Sequence, residues 1–254
     1  MKKSFLASDR PILTTMINNA PTPEAALKVI ARARALGTDA FGLQIEQLLP
    51  VYRTRTVFSE LFDAMGDCPA YITNYRRCSV CPELSDEALT EQMLLAIECG
   101  AVLFDMRGDL FAPSEHEITY DTAAIAKQKE VADTVHRLGG EVLISSHVLE
   151  YLPADKVLEL SLAHSERGAD ISKIVTDAAD ELQLAEAFRA ELLLNAEVPI
   201  KTLFLVNGAK SRLHRVMGPA LGSCMYLNVI DYENYSGSQV SLKDAKAFLE
   251  LCRL

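Results

Sequence analysis

Short runs of β-branched and aromatic residues alternate with longer amphipathic stretches from one end of the chain to the other. Strands are predicted over residues 12–17, 40–45, 70–74, 101–106, 141–146, 171–176, 200–206 and 225–229. Between them, apolar positions recur at helical spacing near 23–36, 57–66, 86–99, 120–138, 154–167, 178–194, 211–217 and 241–252. In the first of these, Ala26, Val29, Ile30, Ala33 and Leu36 share a face, and Lys28 and the arginines fall on others. Thr22-Pro23-Glu24 gives that helix an N-cap, a proline at its first position and an acidic first turn. Ser85-Asp86-Glu87 offers the same kind of start to the third helix, and Gly100 and Gly139-Gly140 end the third and fourth.

The strands read as near-continuous apolar runs, as parallel strands covered on both faces do. Eight strand–helix pairs in 254 residues match a (β/α)8 TIM barrel of the class I aldolase-like kind, expected here as one domain over residues 1–254. An open doubly wound sheet is the competing topology, but no Gly-x-Gly-x-x-Gly turn follows the first strand. In a barrel, chemistry gathers at the C-terminal ends of the strands. That selects Asn18, Gln44, Glu46, Asn74, Arg76, Asp105, Arg107, Ser145, His147, Lys173, Lys201, Asn207 and Tyr226.

Lys173 stands out among them, because Ile171, Ile174 and Val175 place it in a strand that belongs in an interior. A buried ammonium is costly, and loss of its proton would turn it into an amine nucleophile. A lysine that snorkels to solvent from a strand end is the plainer explanation. His147 closes the preceding strand, and neighbouring strands lie about 4.8 Å apart, so both side chains can meet one substrate. An amine beside an imidazole can form an imine with a ketone and move the protons that addition and elimination require.

Composition narrows the partners. The hydrophobic share is 49% and the charged share 24%, ordinary for a globular protein. A formal charge of −10 argues against a nucleic-acid or anionic-membrane partner, but not against a small anionic substrate in a local pocket. Six cysteines are too sparse for a disulfide scaffold, the N-terminus turns polar too soon for a signal peptide, and no apolar run reaches membrane-spanning length. A soluble, cytoplasmic protein is expected, with a homodimer as the default assembly. Cys78-x-x-Cys81 lacks the second ligand pair of a structural zinc site and reads as incidental loop cysteines, so no metal is expected. His116 and His164 lie in polar surroundings and are expected to be exposed.

Ser145-Ser146-His147, followed by Gly168-Ala169-Asp170-Ile171-Ser172-Lys173-Ile174, resembles the type I 3-dehydroquinate dehydratase family. The likeness runs over most of the chain and is strongest in its second half. It implies a (β/α)8 barrel in which Lys173 forms the imine and His147 shuttles protons, with no metal or diffusible cofactor. Asn207-Gly208, His214-Arg215-Val216-Met217-Gly218-Pro219 and Gly222-Ser223 resemble the carboxylate-binding turn, which places Arg215 on the substrate carboxylate. Tyr235-Ser236-Gly237-Ser238-Gln239 resembles the C-terminal loop, which brings Gln239 and Tyr235 to the substrate.

The first half departs from the family. Its Glu-x-Arg-x-Asp run, which reads substrate hydroxyls, falls here on Gly42, Gln44 and Glu46, so only the third acid is kept. Arg76 or Arg77 supplies the arginine that follows the third strand. The family's histidine-orienting glutamate falls near Cys78-Ser79-Val80, where no carboxylate stands, and Glu83 is the nearest substitute in sequence. On the fourth strand Arg107 stands where the family has an acid. The resemblance therefore implies a Schiff-base lyase that dehydrates 3-dehydroquinate to 3-dehydroshikimate in shikimate metabolism and aromatic amino acid biosynthesis, with altered substrate recognition. The alternatives are a non-catalytic homologue that binds a small carboxylate, and a class I aldolase acting on another keto acid.

Overall fold

The computed structural model describes residues 3–76, 83–231 and 237–254. Strands and helices alternate: β1 (Ile12–Ile17), α1 (Pro23–Leu36), β2 (Ala40–Gln44), α2 (Arg55–Ala64), β3 (Ala70–Thr73), α3 (Asp86–Glu98), β4 (Leu103–Arg107) and α4 (Thr122–Arg137). The order continues with β5 (Glu141–His147), α5 (Ala154–Ser165), β6 (Ile171–Asp177), α6 (Glu181–Glu197), β7 (Lys201–Asn207), α7 (Ser211–Leu221), β8 (Met225–Val229), the short β9 (Val240–Ser241) and α8 (Leu242–Cys252). All eight expected strand–helix pairs are present. Thr22 and Ser85 cap α1 and α3 as expected, each accepting a backbone N–H from the first turn.

The sheet is parallel in the order β7-β6-β5-β4-β3-β2-β1-β8-β9 and curls into a (β/α)8 barrel. The Cys224 N–H donates to the Thr202 carbonyl at 2.8 Å, joining the entry of β8 to β7 across the remaining gap. One apolar cluster fills the interior, with Met16, Ala40, Tyr71, Leu103, Leu143, Ile171, Leu203 and Leu227 each contributed by a different strand.

Side chains alternate across a strand, so this cluster fixes which residues face inward. Gly42 and Gln44 share the face of Ala40, Asp105 that of Leu103, His147 that of Leu143, and Lys173 that of Ile171 and Val175. The opposite parity faces the helices. There His164, on α5, is fully buried rather than exposed. Its ring lies 3.0 Å from Ser146 Oγ and 2.9 Å from Ser172 Oγ, so it joins α5 to the outer face of β5 and β6. Two buried serines need a partner from the covering helix, and a histidine at that helical position reaches both. The helix around Pro219 also runs further than its sequence suggests, to Leu221, because a proline in the last turn removes only one backbone donor.

Candidate active site

Lys173 is 5% exposed, and its ammonium donates to Tyr75 Oη at 2.7 Å, Tyr71 Oη at 2.9 Å and Asp105 Oδ2 at 3.1 Å. Its burial is thus answered by a carboxylate and two phenols, partners that the strand pattern does not reveal. A buried ion pair is tolerated when further hydrogen bonds saturate it. Asp105 meets that condition, accepting from Ser145 Oγ at 2.5 Å, from Tyr75 Oη at 2.7 Å and from Tyr71 Oη. Burial alone would raise its carboxyl. The Lys173 charge, with bonds from Ser145 and Tyr71, outweighs that and holds it below the usual carboxylate range. Both phenols are pushed well above 10, first by burial and then by the Asp105 charge, so each keeps its proton.

His147 ends β5 one strand away, in the register Ser145↔Lys173 and His147↔Val175. Its Nδ1 lies 2.8 Å from Glu117 Oε2, and the same oxygen accepts the His147 backbone N–H at 3.0 Å. Glu117 comes from the β4–α4 loop and holds a backbone φ of 50°, a left-handed conformation disfavoured for a glutamate. The surrounding loop holds it there. Ser146 Oγ donates to the Glu117 carbonyl at 3.0 Å, and the buried Arg167 donates to the Gly108 and Thr119 carbonyls at 2.8 and 2.6 Å. Arg107 then clamps Glu117 Oε1 at 3.0 Å and Asp109 Oδ1 at 3.1 Å. Burial lowers the His147 imidazole, the Lys173 charge lowers it further, and Glu117 opposes both. The net shift is downward, so the ring is a neutral base at neutral pH.

A cavity of about 560 Å³ is walled in part by Tyr75, Arg76, Arg107, Glu117, His147 and Leu149. A larger one, about 660 Å³, lies at the opposite rim beside Arg10, Lys201 and Cys224, where the strands begin, away from the ionisable cluster.

The remaining expected site residues are distributed as follows. Arg215, on α7, donates from Nε to the Val206 carbonyl at 3.0 Å and from Nη2 to Asn207 Oδ1 at 2.8 Å, which brings it to the C-terminal end of β7. Gln239 precedes β9, and its Oε1 is buried with no partner among the described residues. Gln44 closes β2, its amide 3.5 Å from Glu46 Oε1. Glu46 is buried and takes the Thr73 hydroxyl on both oxygens at 3.0 and 2.9 Å, and burial lifts its carboxyl to about 7. Arg76 is held by Asp86 at 2.6 Å and Asp109 at 2.9 Å, and it borders the cavity. Tyr235, Cys78 and Cys81 lie outside the described residues.

Gly42 stands where the resemblance expects the first hydroxyl reader, and there is no room at it for a side chain. A Cβ on it would lie 2.2 Å from Met16 Sδ and 3.2 Å from Tyr71 Cδ1, side chains on the two flanking strands. The volume that a glutamate would need is occupied, and one of its occupants is a phenol that touches Lys173.

Sequence reasoning missed three features here. Glu117, not Glu83, takes the histidine-orienting position, and a loop carboxylate gives no periodic signal to find it by. Tyr71 and Tyr75, which both touch Lys173, belong to no motif that marks them. Asp105 is marked by its place on the fourth strand, but its pairing with Lys173 requires the curl of the sheet.

The sequence profile described as type I 3-dehydroquinase matches residues 17–253. Among solved structures, 3-dehydroquinate dehydratase from Geobacillus kaustophilus superposes with a TM-score of 0.80 at 14% identity, covering 98% of this chain and 93% of that one. The type I 3-dehydroquinate dehydratase from Clostridium difficile, covalently modified by comenic acid, gives 0.80 at 16% identity, covering 99% and 98%. The Enterococcus faecalis 3-dehydroquinate dehydratase gives 0.78 at 15% identity, covering 97% and 95%. No curated protein matches at the level of sequence. At these identities the structural likeness shows a shared fold, whereas the profile spans nearly the whole chain. The chain belongs to the type I 3-dehydroquinase family, hydro-lyases that work through a lysine imine without a cofactor.

Proposed function

We propose that this chain dehydrates 3-dehydroquinate, or a closely related cyclic keto acid, through an imine on Lys173. One observation carries the reading: a lysine buried within β6 lies one strand from a carboxylate-backed histidine that ends β5 and lines an open cavity. The Lys173 amine attacks the ring ketone and water leaves, giving an iminium that acidifies the neighbouring C–H. The neutral His147 removes that proton and returns one to the departing β-hydroxyl, which leaves a conjugated product. Glu117 holds the ring for both transfers. Arg215 binds the carboxylate and Gln239 offers its unpartnered oxygen to a substrate hydroxyl donor, which together fix the orientation of the ring. No metal or diffusible cofactor enters the sequence of steps.

The reading includes a cytoplasmic setting and a place in shikimate metabolism, both supported by the family. Among the described residues no helix is long and apolar enough to cross a membrane. The non-catalytic alternative drew on a missing partner for His147, and Glu117 supplies one. Gly42 and Gln44 leave hydroxyl recognition weaker than in the family, so activity on 3-dehydroquinate is expected to be low. Borohydride reduction in the presence of 3-dehydroquinate, followed by intact-mass analysis, tests the proposal. A stable adduct that is lost in Lys173→Ala supports it. No adduct with 3-dehydroquinate or its ring analogues overturns it.

A further inference from the structure

Imine formation at Lys173, on which this inference rests, has its own proton requirement. A ketone and an ammonium give an iminium and one water, so two of the three nitrogen-bound protons must end on the oxygen that leaves. A group that touches both nitrogen and oxygen has to carry them. Tyr75 fits that position. Its phenol oxygen is 2.7 Å from Lys173 Nζ and 2.7 Å from Asp105 Oδ2. Its ring borders the 560 Å³ cavity and meets His147 edge-on, with centroids 5.0 Å apart. Tyr71 touches the same lysine and aspartate but is fully buried within the barrel, with no exposed surface from which to reach a substrate. His147 has its Nδ1 committed to Glu117, and among the described residues no hydrogen bond joins its ring to Lys173.

We propose that Tyr75 is a catalytic residue that relays protons from Lys173 to the substrate oxygen. In the first step Lys173 gives a proton to the phenol oxygen while the phenol passes its own to Asp105, leaving a neutral amine and a protonated Asp105. The amine lone pair then forms the C–N bond, and the carbonyl π pair moves onto oxygen. Tyr75 protonates that oxygen and takes a proton from nitrogen, giving the carbinolamine. Finally the proton held on Asp105 returns through Tyr75 to the hydroxyl. The C–O bond breaks, water leaves, and the nitrogen lone pair closes the iminium. Nitrogen keeps one hydrogen, Asp105 is again a carboxylate, and charge is conserved. His147 is thereby reserved for the C–H proton and the β-hydroxyl, so the two proton tasks are divided between two groups.

Rapid-quench borohydride trapping with 3-dehydroquinate, read by intact mass, measures adduct formation at Lys173 directly. Tyr75→Phe is expected to slow it by about 100-fold or more, in the range of a lost acid–base group. Tyr71→Phe removes an equivalent bond to Lys173 and is expected to stay within about 10-fold of the wild type, below the usual general-acid contribution. Equal slowing in the two variants means that the phenols only hold the lysine, and overturns the relay. So does an unchanged rate in Tyr75→Phe. A wild type that gives no adduct at all overturns instead the imine reading on which the relay depends. Should Tyr75→Phe fold poorly, 3-fluorotyrosine at position 75 keeps the ring and hydroxyl but is more acidic. The alkaline limb of the trapping rate is then expected to move to lower pH, against the fixed neighbours Asp105, Lys173, Tyr71, Glu46 and His147. An unmoved profile overturns the relay.

Discussion

Replacing Glu117 with glutamine keeps the shape of the side chain and removes its charge. Glu117 Oε2 accepts two bonds from His147, at 3.0 and 2.8 Å, and Oε1 takes Arg107 at 3.0 Å. Glutamine can satisfy one side of this arrangement, but its NH2 group must then face a donor on the other. Arg107 keeps Asp109, so no charge is orphaned. Hydrogen bonds to a charged group contribute roughly 1.5–3 kcal/mol, and a stability loss in that range is expected for the variant. The catalytic effect is larger. The carboxylate fixes the tautomer with hydrogen on Nδ1 and leaves Nε2 free as the base, whereas an amide that donates to Nδ1 favours the opposite tautomer. A misplaced base predicts a fall in kcat of about 10²–10⁴-fold, with a smaller change in KM. The direction of the pH effect follows from the opposing influences on His147. Burial and Lys173 lower it and Glu117 raises it, so removing Glu117 moves the acid limb of kcat/KM to lower pH while the plateau drops. Ultraviolet detection of the conjugated product across that limb measures both effects. Glu117→Gly is the control, because glycine accepts the φ of 50° without strain while losing the carboxylate. It should fold well and still be slow. A Glu117→Gln enzyme within roughly threefold of the wild type, or an acid limb that moves upward, refutes the positioning role.

Three further outcomes follow from the same geometry. Lys173→Ala leaves the Asp105 carboxylate buried without its cation, and denaturant unfolding should show a loss of about 3–5 kcal/mol, largely recovered by adding Asp105→Asn. Gly42→Ala drives a Cβ to 2.2 Å from Met16 Sδ, and should cost about 1–3 kcal/mol unless Met16 is shortened as well. For the same reason Gly42→Glu with Gln44→Arg should raise kcat/KM on 3-dehydroquinate only in a Met16→Ala background. His164 is lowered from 6.5 to about 3, by burial and then by the Arg167 charge. A depressed histidine contributes stability that is complete above its unfolded value and is lost as pH falls below 6.5 toward 3, here on the order of a few kcal/mol. Unfolding free energies measured down that range should fall less steeply in His164→Asn than in the wild type.

The sequence alone determined the elements and their order. Apolar runs broken by capped amphipathic helices demand a covered parallel sheet, and a lysine or histidine in or at the end of such a run is conspicuous. That is why Lys173 and His147 are legible, and the family motif makes the departures at Gly42 and Gln44 legible as well. Pairings between residues far apart in the chain were decided by the tertiary structure. Asp105 meets Lys173 across 68 positions and Tyr71 meets it across 102, because the sheet curls until the interior faces of separate strands touch. Glu117 reaches His147 only because Arg167 and Ser146 hold a loop in a left-handed turn that no local propensity favours. Sequence periodicity reports which way a side chain points. Which charge it finds there depends on the closure of the barrel and the path of its loops, and at this site those contacts supply the aspartate, the phenols and the glutamate that govern the protons.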